Sequence, residues 1–253
     1  MPAALLARSV MLEARRGGLP WIAAAALVVA VALAAFLAQV AITEGAALQA
    51  AVLGAVLRAC AVFLVAAQVA SSTMREIHDK GLELMLSLPL SRSTHYLGRL
   101  AGFVACGVAI SLAFALAMTA WAAPAAAALW GVSLALELAL VAAAALFFAM
   151  TLSNLVAAIA ATAGLYLLAR AMPAIQSIAA RPLAEESWAG WLARHAVDTI
   201  ALVLPRLDAA TRSEWLVYGA DDMRAYGSAL AALVVYFAVL TAAGLVDFHR
   251  RSA

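Results

Sequence analysis

Six stretches of the chain, residues 21–41, 47–70, 98–120, 126–150, 155–172 and 228–246, each run for about twenty residues with almost no charge. The hydrocarbon core of a bilayer asks this of a helix: about 20 apolar residues, within a range of about 17–25. Composition agrees, since 67% of the residues are hydrophobic and 12% charged, against about half and about a quarter in a soluble domain. Mean hydropathy is +1.01. The expected fold is an all-α membrane protein with six transmembrane helices, forming one transmembrane domain over residues 1–253.

Residues 1–20 read as a weakly amphipathic helix on the membrane surface, with Arg8, Arg15 and Arg16 suited to the headgroup region. Gly17, Gly18 and Pro20 break it, and Trp21 stands where an interfacial aromatic anchor belongs. The apolar run that follows is longer than the roughly 7–15 residues of a secretion signal, so a retained first span is expected. Short turns are expected at Thr43–Gly45 and at Thr151, Ser153 and Asn154, and chain breaks at Pro124 and Pro173.

Charge placement orients the spans. With the N-terminus inside, the inner segments hold Arg8, Arg15, Arg16, Arg75, Lys80, Arg92, Arg99, Arg250 and Arg251, while the outer loops 42–46 and 121–125 hold no lysine or arginine. Positive residues collect on the cytoplasmic side, so both termini and the polar stretch after the second span are expected there. The long segment 173–227 then lies outside. Glu185 and Glu186 suit a helix start, and Trp188, Trp191, Leu192 and Ala196 recur at helical spacing. Short helices in the outer interface are expected, with the tryptophans buried.

The polar stretch MREIHDKGLELMLSLPLSRSTHYLGRL begins at Met74. On a helical wheel Met74, Ile77, Gly81, Leu84, Met85 and Leu88 fall on one side, and Arg75, Glu76, Asp79, Lys80 and Glu83 on the other. Pro89 should end this helix, and Ser91 or Ser93 can cap the next. Such an element serves either as a solvated connection or as a docking surface for a partner outside the membrane.

Little points to chemistry within the chain. There is no P-loop, no H-E-x-x-H and no G-x-S-x-G. Cys60 and Cys106 lie in apolar runs and read as small buried hydrophobes. His78, His95, His195 and His249 fall outside the expected spans. Catalytic, metal and cofactor residues are therefore expected to be none. Two ionisable residues lie near mid-span, Arg58 in the second and Glu137 in the fourth. Each is costly there unless partnered. They either pair and fix helix register, or face a polar path, or one of them snorkels. Gly98 and Gly102, four apart, favour close helix packing.

The polar stretch resembles the membrane subunit of type-2 ATP-binding-cassette (ABC) exporters. Glu76 stands for the early acid of that pattern, Gly81, Leu82 and Glu83 for its glycine-leucine-glutamate core, and Leu86, Ser87, Pro89, Ser91 and Arg92 follow in register. Gly98-Arg99 stands where glycine-lysine often lies, and a threonine usual after the glycine is missing. The resemblance implies a permease in the bacterial inner membrane, coupled through residues 74–97 to a separate ATPase subunit that binds the ATP. It also implies a second permease chain, identical or not, within the lipid bilayer; nucleic acid is not an expected partner. The coupling residues would be Arg75, Glu76, Asp79, Lys80, Gly81, Glu83, Pro89 and Arg92. An importer permease fits less well, because Glu13-Ala14 precedes every span and Gly81 lies too close to Leu88-Pro89. A membrane scaffold or signalling partner of an ATPase is the remaining alternative.

Overall fold

The computed structural model describes residues 2–40, 45–79, 91–179, 188–219 and 222–250, all built from helices and their connections. In chain order these are α1 (Pro2–Arg16), α2 (Leu19–Val40), α3 (Gly45–His78), α4 (Arg92–Met118), α5 (Pro124–Leu152), α6 (Leu155–Ala179) and α7 (Trp188–Val203). A 3₁₀ turn at Leu207–Ala209, α8 (Glu214–Tyr218) and α9 (Met223–Arg250) follow. Six of the described helices, α2 to α6 and α9, are long and apolar enough to cross a membrane.

Local signals set several boundaries. Ser91 caps α4, its Oγ accepting the Thr94 N–H at 3.3 Å, while Ser93 lies within the helix. Pro124 opens α5, where its fixed φ and missing donor cost nothing. The expected turn after α5 is present: Ser153 is left-handed (φ 49°), and Asn154 Oδ1 accepts the Ala157 N–H at 3.0 Å.

Two boundaries differ from expectation. The second span does not stop near residue 70 ahead of a separate amphipathic helix; α3 runs unbroken to His78. No glycine or proline interrupts residues 55–80, and Ser72, Thr73 and Met74 are buried against neighbouring helices. Pro173 does not end the fifth span either, because α6 continues to Ala179. Prolines are tolerated within membrane helices when nearby groups satisfy the freed backbone. The expected helix end at Leu88-Pro89, Lys80, Gly81, Glu83, and the pair Glu185-Glu186 lie outside the described residues.

The core is organised on α5. Every residue from Leu138 to Leu146 is buried, as befits a helix apolar on all sides. Helices α3, α4, α6 and α9 pack around it, and α2 packs on α3. Outward faces stay apolar, as at Val28, Val29, Phe36, Val235 and Val239, which fits a lipid surrounding.

Helix α1 packs along α4. Gly98 and Gly102 make this possible. A side chain at Gly102 would meet Val10 Cβ at 2.7 Å and the Ala7 carbonyl oxygen at 2.9 Å, and one at Gly98 would crowd Ala3 and Leu6. Between α6 and α9 the chain first forms α7, where Trp188 and Trp191 are exposed rather than buried. It then turns inward, burying Leu207, Ala210 and Leu216 among the spans.

Gly102→Leu is expected to push α1 off α4. Thermal unfolding of the purified protein should show a loss of about 1–3 kcal/mol, with faster tryptic cleavage within α1. Gly164→Leu, where nothing lies within 4 Å of an added carbon, should leave both unchanged.

Candidate functional site

Two clusters of polar side chains interrupt the apolar bundle, and both include α3. One surrounds the inward-turning segment. Arg58 of α3 donates from Nη1 to the Thr211 carbonyl at 2.8 Å. Arg170 of α6 donates to the carbonyls of Leu207 (2.7 Å), Ala210 (3.1 Å) and Thr211 (3.4 Å). Ser133 of α5 accepts the Thr211 N–H at 2.7 Å, and its hydroxyl lies 3.0 Å from that of Thr211. Thr211 is left-handed (φ 47°), a strained state for a β-branched residue that survives only where its surroundings over-determine it.

Glu137 sits at the base of this cluster, fully buried. It accepts a hydrogen bond from the Tyr166 hydroxyl at 2.8 Å and lies 3.5 Å from Arg170 Nη1. Arg58 and Glu137 therefore share a cluster but do not form an ion pair; among the described residues, the cation within ion-pair distance of Glu137 is Arg170. Both guanidinium groups are directed at backbone oxygens of the inward-turning segment.

The second cluster ties α1, α3 and α4 together. Half-buried Glu76 pairs with buried Arg99, and Glu76 Oε1 lies 3.6 Å from His95 Nε2. Arg99 donates to Ser72 at 3.3 Å and lies over the Phe103 ring. Ser72 donates to Glu13 Oε2 at 2.9 Å, and Glu13 Oε1 pairs with Arg75 at 3.0 Å. These side chains line a cavity of about 400 Å³, to which Asp79 also contributes. Below it, Tyr96 packs so closely on α9 that a side chain at Gly244 would run into its ring, and the His95 ring stacks near Phe248 at 6.3 Å.

The described coupling candidates thus divide. Arg75 and Asp79 are exposed at the end of α3 and Arg92 is half-buried at the start of α4. Glu76, expected on a face turned toward a partner, is instead turned inward onto Arg99. Lys80, Gly81, Glu83 and Pro89 lie outside the described residues. Arg170, Tyr166, Ser133 and Thr211 escaped sequence reasoning. Arg170 was visible as a charge within an apolar run, but a span stopping before Pro173 leaves it near an end. Among the described residues, no three His, Cys, Asp or Glu side chains gather as metal ligands would.

No protein-family model matches the chain, and no curated protein matches it.

Arg170→Ala is expected to destabilise the protein by about 3–5 kcal/mol, since it leaves a buried carboxylate without its cation. Arg58→Ala should cost less, about 1–3 kcal/mol for one hydrogen bond from a charged donor, the Thr211 carbonyl keeping its contact with Arg170. In double-mutant cycles read by unfolding in detergent, Glu137→Gln should offset much of the Arg170→Ala loss. Its coupling to Arg58→Ala, which acts through the shared cluster without direct contact, should be smaller.

Proposed function

We propose that the chain is the membrane-spanning permease subunit of a type-2 ABC exporter, lodged in a bacterial inner membrane with residues 74–97 facing the cytoplasm. A separate ATPase subunit binds and hydrolyses ATP, and a second permease chain completes the pathway. The observation that carries this reading is the joint anchoring of α3 and α4 on either side of residues 79–91. Glu76 with Arg99, and Glu13 with Ser72 and Arg75, bind the end of α3 to α4 and α1. A force applied to the connecting segment would reach both helices together rather than bend one of them.

Length makes α3 suited to transmit it. Its 34 residues span about 51 Å at 1.5 Å each, against a hydrocarbon core of about 30 Å. The polar end, Ser72–His78, therefore extends beyond the core when the rest is embedded. About 21 Å back along the helix, Arg58 holds the segment at Thr211. Displacing α3 along its axis would load that hydrogen bond and shift the inward-turning segment, giving a route from a cytoplasmic push to an opening on the other face. In this reading Arg75, Asp79 and Arg92, with Lys80 and Glu83, meet the ATPase through charge-assisted bonds, whereas Glu76 holds the lever to its base.

The test is made on the chain purified with the ATPase subunit encoded beside it. Glu83→Arg combined with Gly81→Pro should abolish ATPase association and permease-stimulated hydrolysis. Glu76→Gln should retain association yet lose substrate-dependent turnover. Retention of stimulated hydrolysis in the first variant, or labelling of Asp79→Cys only from the periplasmic face, would overturn the proposal.

A further inference from the structure

A second cavity, of about 380 Å³, lies where α1 turns into α2 and both meet α4. Its volume falls within the range of small-molecule sites, yet its lining is almost wholly apolar. Leu19 and Leu27 of α2 form one wall, and Cys106, Ala109 and Ala113 of α4 form the floor. The one charged side chain lining it is Arg15 at the end of α1. Two turns earlier on the same face is Arg8; both are exposed, and neither guanidinium has an ion-pair partner among the described residues.

Length and charge identify the occupant. From Leu19 to Leu27 the groove follows α2 for about 12 Å, close to the roughly 15 Å depth of one leaflet. Trp21, next in the chain after Pro20 of the lining, is 80% exposed and suits an interfacial anchor. A water-soluble ligand has no use for an apolar slot open along one side, and a helix from another protein would not need the arginine at its rim. We propose that the groove holds one acyl chain of an anionic glycerophospholipid, with its phosphate on Arg15 and Arg8. The lipid would then brace the elbow between α1 and α2. This inference rests on the membrane location of the six helices and not on the ATPase reading.

The test uses the full chain in phosphatidylcholine vesicles containing a phosphatidylglycerol that carries a photoreactive group on its acyl chain. Label is expected on residues 19–27 and 106–114, well above the level on the lipid-facing side of α9 at Val234, Val235 and Val239. Ala109→Trp with Ala113→Trp should remove the groove label and spare that on α9, which reports an intact fold. Arg8→Gln with Arg15→Gln should lower the preference for the phosphatidylglycerol probe over a phosphatidylcholine probe roughly thirtyfold. Uniform labelling of all outward faces, or groove label indifferent to either double variant, would overturn the proposal. So would chain-to-chain cross-links within the groove, which would mark a second copy there, or displacement of the probe by excess inorganic phosphate.

Discussion

Hydrocarbon offers no hydrogen bonds, so irregular backbone enters a bundle of spans only where side chains replace the water it has lost. Arg170 does most of that replacement. One guanidinium serves the carbonyls of Leu207, Ala210 and Thr211 and faces the carboxylate of Glu137. Without Glu137 the charge would be buried among dipoles alone; without the carbonyls it would be a simple ion pair with no hold on the loop. Tyr166 fixes the carboxylate from the side. Ser133 and Arg58 then close around Thr211, which accounts for a threonine held at φ 47°.

The cluster shared by α1, α3 and α4 obeys the same constraint by another route. There the polar groups are paired acid to base, and small residues bring the helices close enough for the pairs to form. Gly98 and Gly102 let α1 approach α4, which carries Glu13 to within reach of Ser72 and Arg75. The Glu13–Arg75 pair is exposed and contributes little on its own. Glu76 is half-buried against Arg99, which is buried, so loss of Glu76 would strand the guanidinium. Packing and electrostatics are therefore not separable: a bulky residue at Gly102 would break the Glu13–Arg75 pair, which it never touches.

The six apolar helices, the cap at Ser91, the turn at Ser153 and Asn154 and the close packing at Gly98 and Gly102 were legible because each follows from local composition or short spacing. Residue types alone also marked Arg58 and Glu137 as out of place in apolar surroundings. Their partners were not legible, since contacts such as Arg170 to Leu207 or Ser133 to Thr211 join residues far apart in the chain. Periodicity misled at Glu76. The wheel sorts it with Arg75 and Asp79 on a polar face, but polar is not the same as solvent-facing once a neighbouring helix presents Arg99. At Trp188 and Trp191 aromatic density was read as burial, whereas their exposure in the chain is equally compatible with the headgroup region, where an amphipathic ring finds both phases.

The two clusters differ in what they leave over, and this bears on how α3 could act. Around Thr211 the guanidinium groups of Arg58 and Arg170 are directed inward at backbone oxygens. At the other end Glu13 pairs with Arg75 and Glu76 with Arg99, while the carboxylate of Asp79 is exposed at the tip of α3. A rod closed off within the bundle at one end and carrying a free charge at the other is sensitive at the free end. A pull on the exposed end of α3 is passed to α4 through Glu76 and Arg99, and to α1 through Glu13, before it reaches Arg58. Under the transport reading, this order of contacts makes the helix a strut between two clamps, with the weaker clamp the single hydrogen bond from Arg58 to Thr211.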